Sequence, residues 1–305
     1  MSGPTPKAVV NIPTILGEGP IWSVAENTLM WLDIFRPSIN IYDPQTGRND
    51  VIPLAETIYA AGFAAGGGYI ASLDSGFVLL GHDGQRLRTL ADPNGGRAVN
   101  FNDGRVDRCG RFWSGTMAKD WKSAIGSLWR LDRDGSVAEI DTGVILANGI
   151  GFSPDDKVFY FTDFSKRTVF AYPFDIATGT LGKREVFVTL AEGDGSPDGM
   201  TVDAGGFIWI AYWDGWCVTR HDPKGREVAR IGFPVQRPTS VAFGGADLST
   251  LYITSATMGL TGEQLEQAPL SGSLFAVETP HRGQRPRPVS LLPHQPRRTR
   301  VMARP

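Results

Sequence analysis

GGFIWIAYW, residues 205–213, opens on a glycine turn and continues as a short strand dense in aromatic and β-branched side chains. The pattern recurs in NTLMWLDI (27–34), GGYIASL (67–73), GRFWSGTM (110–117), DKVFYFTD (156–163) and STLYITSA (249–256). Taken from starts at 27, 67, 110, 156, 205 and 249, the steps are 40, 43, 46, 49 and 44 residues. Between them lie further strand-and-turn units: INIYDPQTG, FVLLGHDGQ, LWRLDRDGS, VFAYPFDIATG and VTRHDPKGR. The apolar alternation has period two, and no long amphipathic helix interrupts it. Six units of about 45 residues with about four strands each predict an all-β chain folded as a six-bladed β-propeller. A β-sandwich would share the short strands but not the higher-order period. A strand near residues 7–12 is expected to pair near residues 273–277, closing the ring and removing open sheet edges.

Composition sets the outer limits. The chain has 305 residues, 41% of them apolar and 20% charged, enough for a sizeable core and incompatible with wholesale disorder. No run approaches the ~18 uncharged apolar residues of a membrane helix. Residues 1–13 lack the roughly 7–15-residue apolar segment of a secretory signal. Two cysteines, Cys109 and Cys217, make no disulfide framework, and both read as small buried hydrophobes of a reduced, cytoplasmic protein. The net charge of −2 hides two unlike parts. Residues 281–305 hold seven arginines, five prolines, no acid and no Phe, Tyr or Trp, which leaves 23 basic and 32 acidic residues elsewhere. The expected organisation is one propeller over residues 1–279 and a disordered Arg/Pro-rich tail over 280–305. The tail's arginines do not make nucleic-acid binding the expectation.

Histidine is the most restrictive count. Of four, His281 and His294 lie in the tail, while His82 and His221 read as turn residues. Neither a Ser-His-Asp triad nor a histidine-rich zinc site is available. Gly-x-Ser-x-Gly, His-Glu-x-x-His, Gly-x-Gly-x-x-Gly and the phosphate-binding Gly-Lys-Ser/Thr loop are absent as well. Any chemistry falls to carboxylates, amides or an oxygen-held metal.

The polar residues fall at a repeated phase. Ahead of the strand starts stand Glu18 by 9 residues, Asn102 by 8, Asn148 by 8, Asp198 by 7 and Thr239 by 10. Equivalent phases occupy equivalent places in each blade, so these groups are expected to converge on one mouth of the central channel. Asn-Gly, Asp-Gly and Glu-Gly pairs taken singly are turn chemistry; five in phase point to a shared site. One Glu, one Asp and asparagine oxygens make a hard-oxygen donor set, suited to Ca2+, Mn2+ or Mg2+. Of the eight tryptophans, most read as packing between blades, while Trp121, Trp213 and Trp216 stand within reach of the mouth.

Several motifs carry a resemblance over roughly residues 16–277: GEGPIW (17–22), LDI (32–34), FNDGRVDRCGRFWSGTM (101–117), NGIGFSPD (148–155), PDGMTVDAGGFIW (197–209), TSVAFGG (239–245) and MGLTGEQLEQAPLSGSLF (258–275). In this order they resemble the senescence-marker-protein/regucalcin/gluconolactonase family of six-bladed propellers, metal-dependent sugar lactonases and related ester and phosphoester hydrolases. The resemblance implies one divalent metal held by Glu18, Asn148 and Asp198. Ca2+ is expected first, with Zn2+, Mn2+, Mg2+ or Fe2+ as alternatives. It further implies Asn102 and Asp120 as substrate-binding residues and Asp103 as a support behind the metal. The family often carries an arginine where this chain has Asn100, which is assigned to substrate in its place, and Arg97 could stand in from nearby.

The expected activity is hydrolysis of a sugar lactone, an aldonolactone such as glucono-, xylono- or arabinono-lactone, with Asp198 as general base. Two alternatives stay open: a calcium-dependent phosphotriesterase or aryl-esterase, and a non-catalytic calcium-binding propeller. The expected partner is the small lactone alone, with no nucleic acid and no membrane, and the protein a monomer or weak oligomer.

Overall fold

The computed structural model describes residues 5–289. The chain forms six antiparallel sheets set around a channel, five of four strands and one, the fourth blade, of five. This is the six-bladed β-propeller that the repeat predicts. The N-terminal strand Lys7–Val10 pairs with Leu274–Glu278 in the sixth blade, so the first and last strands close the ring. The one α-helix of the described residues, Gly262–Gln267, is capped by Thr261 and Gln264, and no helix there is long and apolar enough to cross a membrane.

The aromatic strands recognised in the repeat are the second strand of each blade, Thr28–Asp33, Tyr69–Leu73, Phe112–Ala118, Val158–Asp163, Ile208–Trp213 and Thr250–Ser255. Their side chains fill the space between blades: Trp113 lies 4.9 Å from Phe159 between ring centres, and Tyr252 stacks at 5.9 Å on Trp22 of the first blade's innermost strand, across the closure. Trp22, Trp31, Trp113 and Trp209 are all buried. The turns into two of these strands repeat in detail. Asp107 accepts from the backbone N–H of Cys109 and Arg111 and from Trp113 Nε1; Asp203 accepts from Gly205, Phe207 and Trp209 Nε1. The shared V-D-x-x-G-x-x-W spacing thus ties the turn to the indole that packs the blade. Cys217 is buried, as its apolar neighbours suggest; Cys109 is exposed because it sits at the tip of the Asp107 turn.

The segments ahead of these strands, which look irregular in sequence, are the innermost strands lining the channel: Gly17–Ser23, Ile58–Phe63, Val99–Val106, Ala147–Phe152, Ser196–Val202 and Pro238–Gly244. Each carries a register shift against its neighbour, between Glu18 and Ile21, Ile58 and Ala60, Phe101 and Gly104, Asn148 and Ile150, Pro197 and Met200, and Pro238 and Val241. A bulge turns one side chain out of the regular alternation. Here it does so at the same depth in every blade.

Composition assigns residues 280–305 to a disordered tail. Residues 280–289 instead form a strap across the channel mouth opposite the site, held by main-chain groups rather than by apolar area. Gly283 N–H donates to Leu248 O, Ala204 N–H to Arg282 O, and Val289 N–H to Phe63 O. The Gln284 amide donates to Phe152 O at 3.0 Å and Val202 O at 3.1 Å, and its oxygen accepts from Arg108. The strap therefore touches blades 2 to 6. Residues 290–305 of the expected tail, His294 among them, lie outside the described residues.

Candidate metal centre

The four bulges at Glu18, Asn102–Asp103, Asn148 and Asp198 are each followed by glycine, and in each the side chain turns back onto that glycine. Glu18 Oε2 accepts from Gly19 N–H at 2.9 Å, Asp103 Oδ1 from Gly104 at 2.6 Å and Asn148 Oδ1 from Gly149 at 3.1 Å. Glycine is required here by close approach. A Cβ on Gly149 would stand 2.6 Å from Asp198 O, and one on Gly199 would stand 2.1 Å from Ser240 Oγ. The innermost strands of adjacent blades meet at these glycines, which brings Asn148 and Asp198 to one place.

Glu18, Asn102, Asn148 and Asp198 line one cavity of about 120 Å³ at the mouth. Asn102 Nδ2 donates to Ala147 O at 2.7 Å, which leaves its Oδ1 for the cavity. Two aspartates support the entries to Glu18 and Asn148 in the same way. Asp33 accepts from the N–H of Ile15 and Leu16 at 3.2 and 3.3 Å, and Asp163 from Ile145 and Leu146 at 3.2 and 3.4 Å. The sequence places both at strand ends, in LDI and FTD, and nothing but their equivalence in the repeat marks them. Tyr59 of blade 2 also lines the cavity, its hydroxyl donating to Asp74 at 2.6 Å. It stands 8 residues ahead of the blade's strand start, the same phase as Asn102, and reads in sequence as one more core aromatic.

Other predicted residues fall elsewhere. Asp103 is buried behind Asn102, its carboxylate on Gly104, its charge facing Arg105. Thr239 donates to Gly17 O at 2.5 Å and joins the sixth blade to the first rather than facing the cavity. Asn100 is not in the cavity wall. Asp120 is not there either: its carboxylate accepts from Lys122 N–H and Ser123 N–H at 2.9 Å each and from the Ser123 hydroxyl, bonds that pull its pKa down to about 2. Arg97 pairs with Glu139 at 3.1 Å and lies over Trp129, outside the cavity wall. Trp121 and Trp213 line the cavity; Trp216 is exposed outside it.

The electrostatics of the floor are unbalanced. Burial pushes the Glu18 carboxyl well up, and the Asp103 charge adds to this. Burial pushes Asp198 well up too, followed by the charges of Glu18 and Asp103, while the Asn148 amide and Gly199 N–H hold it down in part. Asp103 is raised by burial despite Arg105, and burial lowers Arg105 in turn. Three carboxylates thus share a buried site with one guanidinium. Asp198 Oδ1 is buried with no hydrogen-bond partner. A buried charged acceptor without a donor is costly, and a cation answers that deficit. Among the described residues no three His, Cys, Asp or Glu side chains are placed to hold a metal ion by themselves. The donor set is therefore two carboxylates completed by amide oxygens, which fits a hard divalent cation.

The sequence profile described as SMP-30/Gluconolactonase/LRE-like region matches residues 16–257. A pentonolactonase of Haloferax volcanii is 41% identical over 277 residues, 88% of this chain and 93% of its own. A 6-deoxy-6-sulfogluconolactonase of Pseudomonas putida is 40% identical over 90% of this chain and 94% of its own. Among solved structures, a calcium-binding regucalcin of Agrobacterium tumefaciens superposes with a TM-score of 0.88 at 29% identity, covering 94% of this chain and 97% of that one. With the profile spanning most of the propeller, the chain belongs to the SMP-30/gluconolactonase/LRE-like family.

Proposed function

We propose that this lactonase hydrolyses a sugar lactone of the aldonolactone kind at a divalent-metal centre formed by Glu18, Asn148 and Asp198. The observation that carries the reading is Asp198 Oδ1, buried beside a second carboxylate and two amide groups and without a partner. The names of the pentonolactonase and the sulfogluconolactonase support a lactone ring as substrate, and the calcium-binding regucalcin supports Ca2+ as the first metal to try. Mn2+, Mg2+, Zn2+ and Fe2+ are the alternatives. The two free cysteines fit a reducing compartment, so the cytoplasm is the proposed location.

A bound divalent cation supplies Lewis-acid polarisation of an ester carbonyl and acidifies a water molecule near it. The chain's own groups do the rest. Glu18 and Asp198 would hold the cation through their carboxylates, and Asn148 through its amide oxygen. Asp198 has a carboxylate oxygen free to take a proton from an attacking water, and it is the general base. Ring opening delivers that proton to the alkoxide that leaves the acyl carbon, giving the hydroxy acid with no covalent enzyme intermediate. Asn102 Oδ1 faces the same space and can accept from a substrate hydroxyl.

The test is a pH-indicator assay across aldonolactones on exhaustively chelated protein, with each divalent metal added back. Hydrolysis should vanish on chelation and return with Ca2+ or one of the alternatives. A rate indifferent to chelation would overturn the reading, and cation binding without turnover of any ester would favour a binding propeller.

A further inference from the structure

We infer that the mouth selects an uncharged lactone, recognised by stacking and apolar contact on Trp121 and Trp213, and rejects lactones that carry a second anionic group such as a phosphate, sulfonate or carboxylate. The inference rests on the lactonase reading above and specifies its substrate.

Above the floor of Glu18, Asn102, Asn148 and Asp198 the cavity wall is apolar, with Phe35, Phe164 and Met258 beside the two indoles. No Lys, Arg or His lines it. Two cations of the surrounding segments are committed elsewhere. Arg237 pairs with Asp214 at 2.6 Å and donates to Met258 O; Lys166 pairs with Asp163 at 2.9 Å. Lys119 and Lys122 flank Trp121 in sequence but are exposed and outside the wall. With the two carboxylates below engaged by the cation, an anionic substituent resting against the wall would find no counter-charge there. A desolvated charge without a partner is among the larger penalties in binding.

The two indoles are built for display. Trp121 is 44% exposed, and its backbone is left-handed at φ 61°. A bulky side chain seldom adopts that conformation, and it persists where surroundings impose it. Here the Asp120 carboxylate fixes the turn through Lys122 and Ser123, and Trp121 N–H donates to Ala118 O at 3.0 Å. Asp120, expected to touch substrate, is on this geometry a positioning residue for the indole. Trp213 is fixed differently: the Arg237 guanidinium lies 4.6 Å from its ring centre, and Phe164 meets it edge-on at 6.3 Å. Both offer flat apolar faces on which the C–H face of a lactone ring can rest.

The test compares kcat/KM for neutral pentono- and hexonolactones with that for 6-phosphogluconolactone on metal-loaded enzyme. The neutral lactones should lead by about a hundredfold. Trp121→Ala should raise KM about tenfold with kcat and cation affinity by calorimetry little changed, and Trp121→Phe should restore most of the loss. Asp120→Ala should raise KM in the same sense without altering cation affinity. An anionic lactone turned over as well as the neutral ones would overturn the inference while leaving the lactonase reading intact, as would an unchanged KM in Trp121→Ala. Failure of every lactone on metal-loaded protein would sink the parent reading and this one with it.

Discussion

Asn102 of blade 3 is tied to Ala147 of blade 4: its Nδ2 donates to the Ala147 carbonyl at 2.7 Å, one residue ahead of Asn148. The bond makes one cavity-lining asparagine the brace of another. Asn102→Leu removes the donor and the free amide oxygen together. Cation affinity measured by calorimetry should fall about ten- to a hundredfold, with an unchanged circular dichroism spectrum. Unaltered affinity would mean that Asn148 is held without this brace.

Asp198→Asn should separate function from stability. Hydrolysis should fall by about 10²- to 10⁴-fold, because the amide cannot take the water proton. In chelated protein near neutral pH the same variant should melt higher than wild type. Burial and the charges of Glu18 and Asp103 disfavour the ionised carboxylate, and the amide removes that charge at constant shape. A lower melting temperature for the metal-free variant would contradict the electrostatic account of the site.

The strap offers a test away from the chemistry. Gln284→Ala loses three hydrogen bonds, leaving Phe152 O and Val202 O short of a donor and Arg108 short of an acceptor. The expected loss is about 2 kcal/mol in denaturant unfolding, with kcat/KM unchanged. Truncation after residue 289 should cost far less stability than truncation after 280, since the bonds of residues 282–289 survive only in the former. Equal stability of the two truncations would count against the strap.

His221 gives a pH dependence. Its Nδ1 faces Gly225 O at 3.1 Å and so carries the proton, while Nε2 accepts from the hydroxyls of Thr219 at 3.0 Å and Tyr212 at 3.2 Å. Burial holds its pKa below the ordinary value. The unfolded chain therefore takes up the proton first, and the histidine's stabilising contribution, present above about pH 6.5, is lost as pH falls through the folded-state value. Unfolding free energy should drop more between about pH 7 and about pH 5 in wild type than in His221→Gln. Parallel curves would exclude His221 as the source.

The propeller is legible because the second strand of each blade must be apolar on both faces to pack its neighbours, so the repeat is written in aromatic residues. The innermost strands are not legible as strands. Gly17, Glu18, Asn102, Asn148 and Pro197 are poor strand formers alone, and the close approach of the next blade, as at Gly149 against Asp198, makes them strands. The phase of the polar residues did locate the floor of the cavity. It could not tell Asn102 from Thr239, because the direction a bulge turns a side chain is set by tertiary packing. Asp120 stands outside the cavity wall for a local reason: its carboxylate is taken up by its own turn. His221 ends the strand Cys217–His221 instead of standing in a turn, and its neighbours Thr219 and Tyr212 reveal its role only in three dimensions. The Arg/Pro-rich composition of residues 280–289 hides a segment held by backbone bonds, which composition does not register.

The strap has a consequence for traffic through the molecule. The cavity beneath it, lined by Arg105, Arg108 and Gln284, shares no wall residue with the one that holds Glu18 and Asp198. Arg105, reaching across to Met200 O at 3.0 Å, stands between them. Among the described residues the two are separate recesses along the propeller's axis. On the proposed reaction a neutral ring would enter and an anionic acid would leave past the same two indoles, so the product would compete with substrate at the entrance.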